Sequence, residues 1–214
     1  GHDGQIKAAY NNELRTYNYD SVFSFVSSYI KKADLAVANL EVTLGGPPYK
    51  GYPQFSSPDE LAVALKNTGF DILCTANNHC LDRGGKGLIR TIKVLDSLSL
   101  IHTGTFLSQT YRDSVYPLII NVKNFTLAFL NYTYGTNGIV VKPPLIVNYI
   151  DTSIIAKDID KAKQFNPDFI ICILHWGNEY QNSFNDEQKL LAEFLFKKGI
   201  KIIIGSHPHV LQPV

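Results

Sequence analysis

The sequence predicts an α/β fold in which helices cover a mixed sheet. Apolar strand runs alternate with runs of helical period along most of the chain. A hairpin interrupts that alternation near the middle, which introduces antiparallel pairing. A third observation concerns chemistry. Strand runs end in clusters of histidine, acid and amide: Asn39-Leu40-Glu41, Asn77-Asn78-His79, His175-Trp176-Gly177 and Gly205-Ser206-His207-Pro208-His209. In an open α/β sheet the C-terminal strand ends share one edge, and ligands sit there.

The elements follow in order. Asp20 or Ser21 is placed to cap a helix carrying Val22, Phe25, Val26, Tyr29 and Ile30 on one face. Asp34–Ala38 reads as a strand, and residues 45–56 as a Gly/Pro/Tyr loop. Ser57-Pro58-Asp59-Glu60 has the form of a capping box. It opens a helix through Leu61 and Leu65 that stops at Gly69. A strand at 71–76 follows. Gly84-Gly85 precedes a helix with Leu88, Ile89, Ile92 and Leu95, then a short strand near Ile101-His102-Thr103. Leu118–Val122 and Thr126–Leu130, joined by Lys123-Asn124-Phe125, form the hairpin. After a loop at 134–148 come a helix near 152–165, a strand at 168–174, a helix near 186–198 and a strand at 201–204.

Composition narrows the function classes. Apolar residues make up 45% of the 214, enough for a sizeable core in one domain spanning residues 1–214. The formal net charge of +1 gives no electrostatic case for nucleic acid or an anionic membrane. No run reaches transmembrane length. No Gly-rich phosphate loop follows a strand, which argues against a nucleotide-binding domain. The 3 cysteines lack metal-type spacing. Cys74 and Cys172 sit in apolar strands, and Cys80 follows His79. The chain has 0 Met and opens and stops without bounding strands, so both ends are expected to be cut.

Imidazole and carboxylate together suit Zn, Mn or Fe. His207 and His209 flank Pro208, which restricts the turn. They converge on a metal with His175 or form a solvated turn. Asn39 and Glu41 point to one face of their strand, and Glu41 is the carboxylate suited to bridge two cations. The Asn78 carbonyl suits a metal and His79 a substrate oxyanion; otherwise Asn77-Asn78 is a plain Asx turn. Asp82 and Arg83 are expected to brace that loop as an ion pair. Asn39, Trp176, Glu179, Tyr134 and Asn137 are the candidate substrate contacts. Glu179 otherwise orients an imidazole or is a solvated charge. His102 stands alone and reads as structural, and His2 lies at the chain's edge.

These motifs, with Asp82, Gly84, Tyr180, Val210, Tyr52-Pro53 and the Tyr132–Gly138 loop, occur in the order seen in the CapA family. That family comprises bacterial poly-γ-glutamate capsule biosynthesis proteins, and the chain resembles it over nearly its whole length. The resemblance implies a calcineurin-like metallophosphatase fold, a four-layer α/β/β/α sandwich. It implies that Glu41, Asn78, His175, His207 and His209 are metal ligands and that His79 polarises the substrate. Two divalent ions would serve a metal-dependent hydrolase acting on a phosphoester or an anionic polymer. The alternative is a non-catalytic polymer-binding or assembly component working with other capsule synthesis proteins. The implied location is extracytoplasmic, at the cell envelope, through an anchor outside this chain. Family members begin with a strand ending in Gly-Asp, which supplies a ligand and is absent here. The domain is therefore expected to be partial at both ends.

Overall fold

The computed structural model describes residues 2–213. It opens with α1 (Asp3–Ala9) and a small antiparallel pair, β1 (Tyr10–Asn11) and β2 (Thr16–Tyr17). A 3-10 turn (Asp20–Phe23) and a single helical turn, α2 (Ser27–Ile30), follow. The expected amphipathic helix over 20–30 is thus broken. Neither Asp20 nor Ser21 caps it; Tyr19 and Val26 hold the N-cap positions without side-chain bonds. Serines interrupt the run, and the Ser24 hydroxyl donates to the Ser21 carbonyl, competing with regular helix. Phe25 is 91% exposed and Tyr29 75%. Phe23 turns inward, onto Phe70 at 6.3 Å, and Ile30 is half-buried.

The rest builds four layers. β3 (Val37–Asn39), β4 (Ile72–Cys74) and β5 (Ile101–Thr103) form a parallel sheet, with Val37 opposite Ile72 and Ile72 opposite Ile101. α3 (Glu60–Thr68) and α4 (Gly84–Ser97) cover its outer side through Ala62, Leu65, Leu73 and Leu95. β6 (Thr105–Phe106), α5 (Gln109–Val115), the hairpin β7 (Leu118–Val122)–β8 (Phe125–Thr133) and β9 (Ile146–Val147) come next. α6 (Thr152–Lys163), β10 (Phe169–His175), α7 (Asp186–Lys197) and β11 (Ile202–Ser206) complete the chain. The second sheet runs β11-β10-β8-β7, parallel except at the hairpin. α6 and α7 pack its outer side through Ile155, Ile159, Leu191 and Leu195. Between the sheets lie Ile72, Cys74, Phe129, Ile171 and Ile173. The mixed pairing and the outer helices agree with the sequence expectation.

One local expectation fails for an identifiable reason. Ser57–Glu60 makes no capping box: Asp59 is the N-cap without a side-chain cap bond. Its carboxylate instead takes both Arg90 nitrogens, at 2.6 and 2.8 Å. A bidentate charge-assisted pair outweighs a single cap bond. Cys80 is no ligand candidate; it packs in an apolar cluster with Leu81, Leu88 and Ile92, and burial pushes its thiol up to about 12.

One polar residue inside the core ties the sheets together. Asn131 of β8 accepts from the Ala76 backbone N–H at 2.9 Å and donates to the Ile173 carbonyl at 3.2 Å. A buried amide satisfied on both sides fixes one relative placement of the sheets. That placement sets the Asn77–His79 loop against the end of β10. Gly104 makes the approach possible: its φ is +112°, and a Cβ there would lie 2.1 Å from the Asn131 oxygen.

Candidate metal centre

The ends of β3, β4, β10 and β11 meet at one edge, so residues far apart in sequence converge. Glu41, His207 and His209 bring one donor atom each within 4.8 Å of one another. Glu41 Oε1 also lies 3.6 Å from His175 Nε2 and 3.9 Å from His209 Nε2. The rings of His175 and His207 are 4.8 Å apart. His207 and His209 both occupy the left-handed region, with φ of 99° and 57°. That conformation costs non-glycine residues about 1–3 kcal/mol and gathers at functional sites. The Pro208 carbonyl between them accepts from the Tyr180 N–H at 2.7 Å, which anchors the turn.

Neighbouring groups orient these donors. Asn39 donates to Glu41 Oε2 at 2.9 Å, and Asn77 donates to Asn39 Oδ1 at 3.2 Å. Asn39 thus holds the carboxylate from the strand end. His175 Nδ1 lies 2.9 Å from Ser206 Oγ, whose hydroxyl faces the Leu174 carbonyl at 3.4 Å. With the hydroxyl proton on Leu174, Ser206 accepts Nδ1–H and leaves the Nε2 lone pair free. That nitrogen is 2.9 Å from Asn78 Oδ1. Asn78 presents its oxygen because its amide donates to Asn137 Oδ1 at 3.3 Å. Two lone pairs facing each other at this distance need positive charge between them. A proton on Nε2 supplies it in one tautomer, and a cation supplies it in the other.

Buried imidazoles here stay neutral, as ligation requires. Burial, reinforced by His207, His79 and His209, holds His175 down at about 3. Burial also lowers His207, with Glu179 opposing and His209 and His79 reinforcing. Burial raises Glu41, with His209 and His79 opposing. One buried donor, His207 Nδ1, has no hydrogen-bond partner among the described residues. A buried imidazole nitrogen without a partner is a group that an ion or a water would satisfy. The orphan, the neutral imidazoles and the mixed N/O donor set together fit a divalent metal.

The His175 shift has a consequence for the metal-free protein. Its folded-state value lies well below the ordinary 6.5. Between the two, the unfolded chain binds a proton that the folded chain refuses. This contribution to stability is therefore complete above about 6.5 and is lost as pH falls toward 3. The urea midpoint should drop between pH 7 and pH 5, and His175→Gln should flatten that drop. Equal midpoints at the two pH values would refute the assignment.

His79 stands beside the donors. Its Nδ1–H donates to Asp82 Oδ2 at 2.7 Å, and Asp82 also accepts from the Phe55 N–H at 2.7 Å. The expected Asp82–Arg83 pair is not formed; Arg83 donates to the Pro48 carbonyl. A buried carboxylate three residues from an imidazole reaches it directly, whereas Arg83 points to the loop. The Asx turn also forms: Asn77 Oδ1 accepts from the His79 N–H at 3.1 Å.

The other candidates divide. Tyr134 lies against the rings of His207 at 4.8 Å and His175 at 6.2 Å. Glu179 lines a cavity of about 520 Å³ with Glu41, His79, His209 and Tyr180. Asn137 braces Asn78, and Trp176 opens onto a separate cleft. The sequence reading missed Asp82 as the His79 partner, although its i+3 spacing was a signal. It also missed Ser206, and His2, which lines the same cavity with its ring 5.5 Å from Phe55.

Comparison with known proteins then decides the family. The profile described as bacterial capsule synthesis protein PGA_cap matches residues 1–214. The chain belongs to the bacterial capsule synthesis PGA_cap family. It is 32% identical over 210 residues to the capsule biosynthesis protein CapA of Bacillus anthracis, covering 93% of this chain and 51% of that one. It is 31% identical over 205 residues to the PGA biosynthesis protein CapA of Bacillus subtilis (strain 168), covering 91% and 52%. The chain thus spans about half the length of these relatives. Among solved structures, the Haemophilus influenzae NAD nucleotidase NadN superposes with a TM-score of 0.58 at 18% identity, over 90% of this chain and 37% of that one. The Thermus thermophilus sulfate thiohydrolase SoxB gives 0.52 at 14%, over 91% and 34%. This PGA_cap chain therefore has the calcineurin-like phosphoesterase fold. No helix among its described residues is long and apolar enough to cross a membrane.

Proposed function

We propose that this chain serves capsule synthesis at the cell envelope, outside the cytoplasm, as a divalent-metal-dependent hydrolase. Its substrate would be a phosphoester or a γ-glutamyl amide of an anionic polymer. The carrying observation is the meeting of Glu41, His207 and His209, one donor atom each within 4.8 Å of one another. Asn78 and His175, held 2.9 Å apart beside Glu41, complete the set. Glu41 Oε1 lies near both His175 and His209, at 3.6 and 3.9 Å, a placement that suits two ions of Mn, Fe or Zn. Bound there, divalent metal supplies Lewis acidity toward the polarised ester or amide.

The chain's own residues supply the rest. Asp82 accepts the His79 Nδ1–H, so with a second proton on the ring His79 would offer Nε2–H to a substrate oxygen or the departing group, the Asp82 carboxylate balancing the charge. Asn39 holds the Glu41 carboxylate in place through its amide. Tyr134 and Glu179 border the opening and position what enters. A second reading, a binding protein without turnover that works beside other capsule synthesis proteins, draws on Tyr52 and Tyr180. Both line the cavity and are 70% exposed, suited to gripping a chain.

Elemental analysis of protein purified without chelators tests the reading. About two equivalents of metal, with hydrolysis of phosphoester or γ-glutamyl probes, are expected. His79→Ala should keep the metal and lose at least about 100-fold in kcat, the scale of general acid–base catalysis. Metal without turnover in the wild type favours the binding protein. Absence of metal after soaking overturns the centre.

A further inference from the structure

A second cleft, of about 410 Å³, adjoins the donor cluster across the Tyr134 ring. Trp176, which directly follows the candidate ligand His175, lines it together with Ile150 and Leu190. Leu190 is 65% exposed, an apolar side chain held in solvent at the cleft's mouth. Gly205 of β11 makes room for the indole: a Cβ there would lie 2.7 Å from Trp176 Nε1. The indole is thus seated on the strand and offers a ring surface. Four polar side chains complete the lining: Thr152, Asn185, Glu187 and Gln188. Asn185 and Gln188 are spent on each other's backbone N–H groups, whereas the Thr152 hydroxyl and the Glu187 carboxylate have no hydrogen-bond partner among the described residues.

An aromatic platform with aliphatic walls and a few unspent hydrogen-bonding groups matches a ring with an apolar face and hydroxyls at its edge. The charge on this rim is negative. Asp186 and Glu187 fill the first turn of α7, and the helix N-terminus they occupy is already capped by Asn185. A polyanion would be repelled there, whereas a neutral ring would not. Tyr134 belongs to both spaces, so one ligand can place its anionic group among the histidines and its ring beyond Tyr134.

We propose that this cleft is a subsite for a neutral hydroxylated ring, and that the substrate is a sugar-type phosphoester whose ring stacks on Trp176. This rests on the metal-centre reading for the anionic half of the ligand, but the ring subsite stands without it. The chain has 1 Trp, so indole emission, excited selectively over the tyrosines, reports Trp176.

The test titrates metal-loaded protein with glucose 1-phosphate, methyl glucoside, inorganic phosphate and oligo-γ-glutamate. Glucose 1-phosphate should shift Trp176 emission and bind at least about tenfold tighter than methyl glucoside, a gain of about 1.4 kcal/mol. Inorganic phosphate and oligo-γ-glutamate should leave the emission unchanged. Leu190→Ala, at an exposed position that spares the fold, should weaken both sugars. In the His207→Ala/His209→Ala protein, methyl glucoside should still bind and the phosphate advantage should vanish. If neither sugar shifts the emission while metal still loads, the ring subsite is wrong and the metal centre survives. If both sugars bind equally in the wild type, the cleft stands and the metal-centre reading fails. A shift with oligo-γ-glutamate alone overturns the neutral-ring assignment.

Discussion

Replacing His207 and His209 together with alanine should abolish tight metal binding and leave the fold intact. These residues contribute two of the three mutually close donors, with Glu41 the third. Loss of an outer partner of a metal ligand typically costs 10–100-fold in affinity. Removing two donors should therefore exceed about 100-fold, enough to empty the centre on gel filtration. The fold should survive because neither ring belongs to an apolar core cluster; His209 is exposed, and His207 meets mainly other rings of the site. Alanine also keeps the backbone N–H and carbonyl groups, so the Tyr180–Pro208 bond that anchors the turn remains available. Metal stoichiometry and thermal unfolding measured on one preparation check both halves. Wild-type metal content in the double variant would remove these histidines from the ligand set.

Arg112→Ala should cost about 3–5 kcal/mol of stability without touching the centre directly, the range for breaking one side of a buried ion pair. Arg112 of α5 pairs with Asp158 of α6, and both side chains are buried. Its Nε donates to Asn148 Oδ1 at 2.7 Å, and its guanidinium lies 4.5 Å from the Tyr116 ring centre. Asp158 also accepts from the Tyr132 hydroxyl at 2.8 Å. Removing the cation leaves a carboxylate in the core with one neutral donor. Asn148 in turn donates to the Asn131 carbonyl, so the damage reaches the residue that joins the sheets. Urea unfolding at pH 7 measures the loss, and Arg112→Lys should recover only part of it, because ammonium cannot reproduce the planar fork. A change within about 0.5 kcal/mol, as at ordinary surface positions, would show the network to be dispensable.

Sequence alone determined the alternation of helices and strands, the hairpin and the strand ends where chemistry gathers. Those signals are local: periodicity, glycine stops and polar residues breaking apolar runs. Boundaries mostly agree within a residue or two, as at β10 and α7. The chain order of Asn39–Glu41, Asn77–His79, His175 and His207–His209 was equally legible, and it carried the family.

Tertiary structure decided what depends on partners distant in sequence. The apolar spacing of residues 20–30 predicts a buried helix, yet burial needs a facing layer, and among the described residues Val22, Phe25, Val26 and Tyr29 stay exposed. Ser57 and Glu60 have the spacing of a capping box, but the N-cap is Asp59, whose carboxylate goes to Arg90, 31 positions away. Arg112 and Asp158 are separated by 46 positions and carry no local pattern, so their pairing was invisible. The centre itself shows the same division. Sequence supplied the donors; packing of the two sheets, with the Asn131–Ala76 bond across them, brings Asn78 to His175 across 97 positions of chain. Residue chemistry is written locally, whereas the distances that make it a site come from packing two sheets in one register.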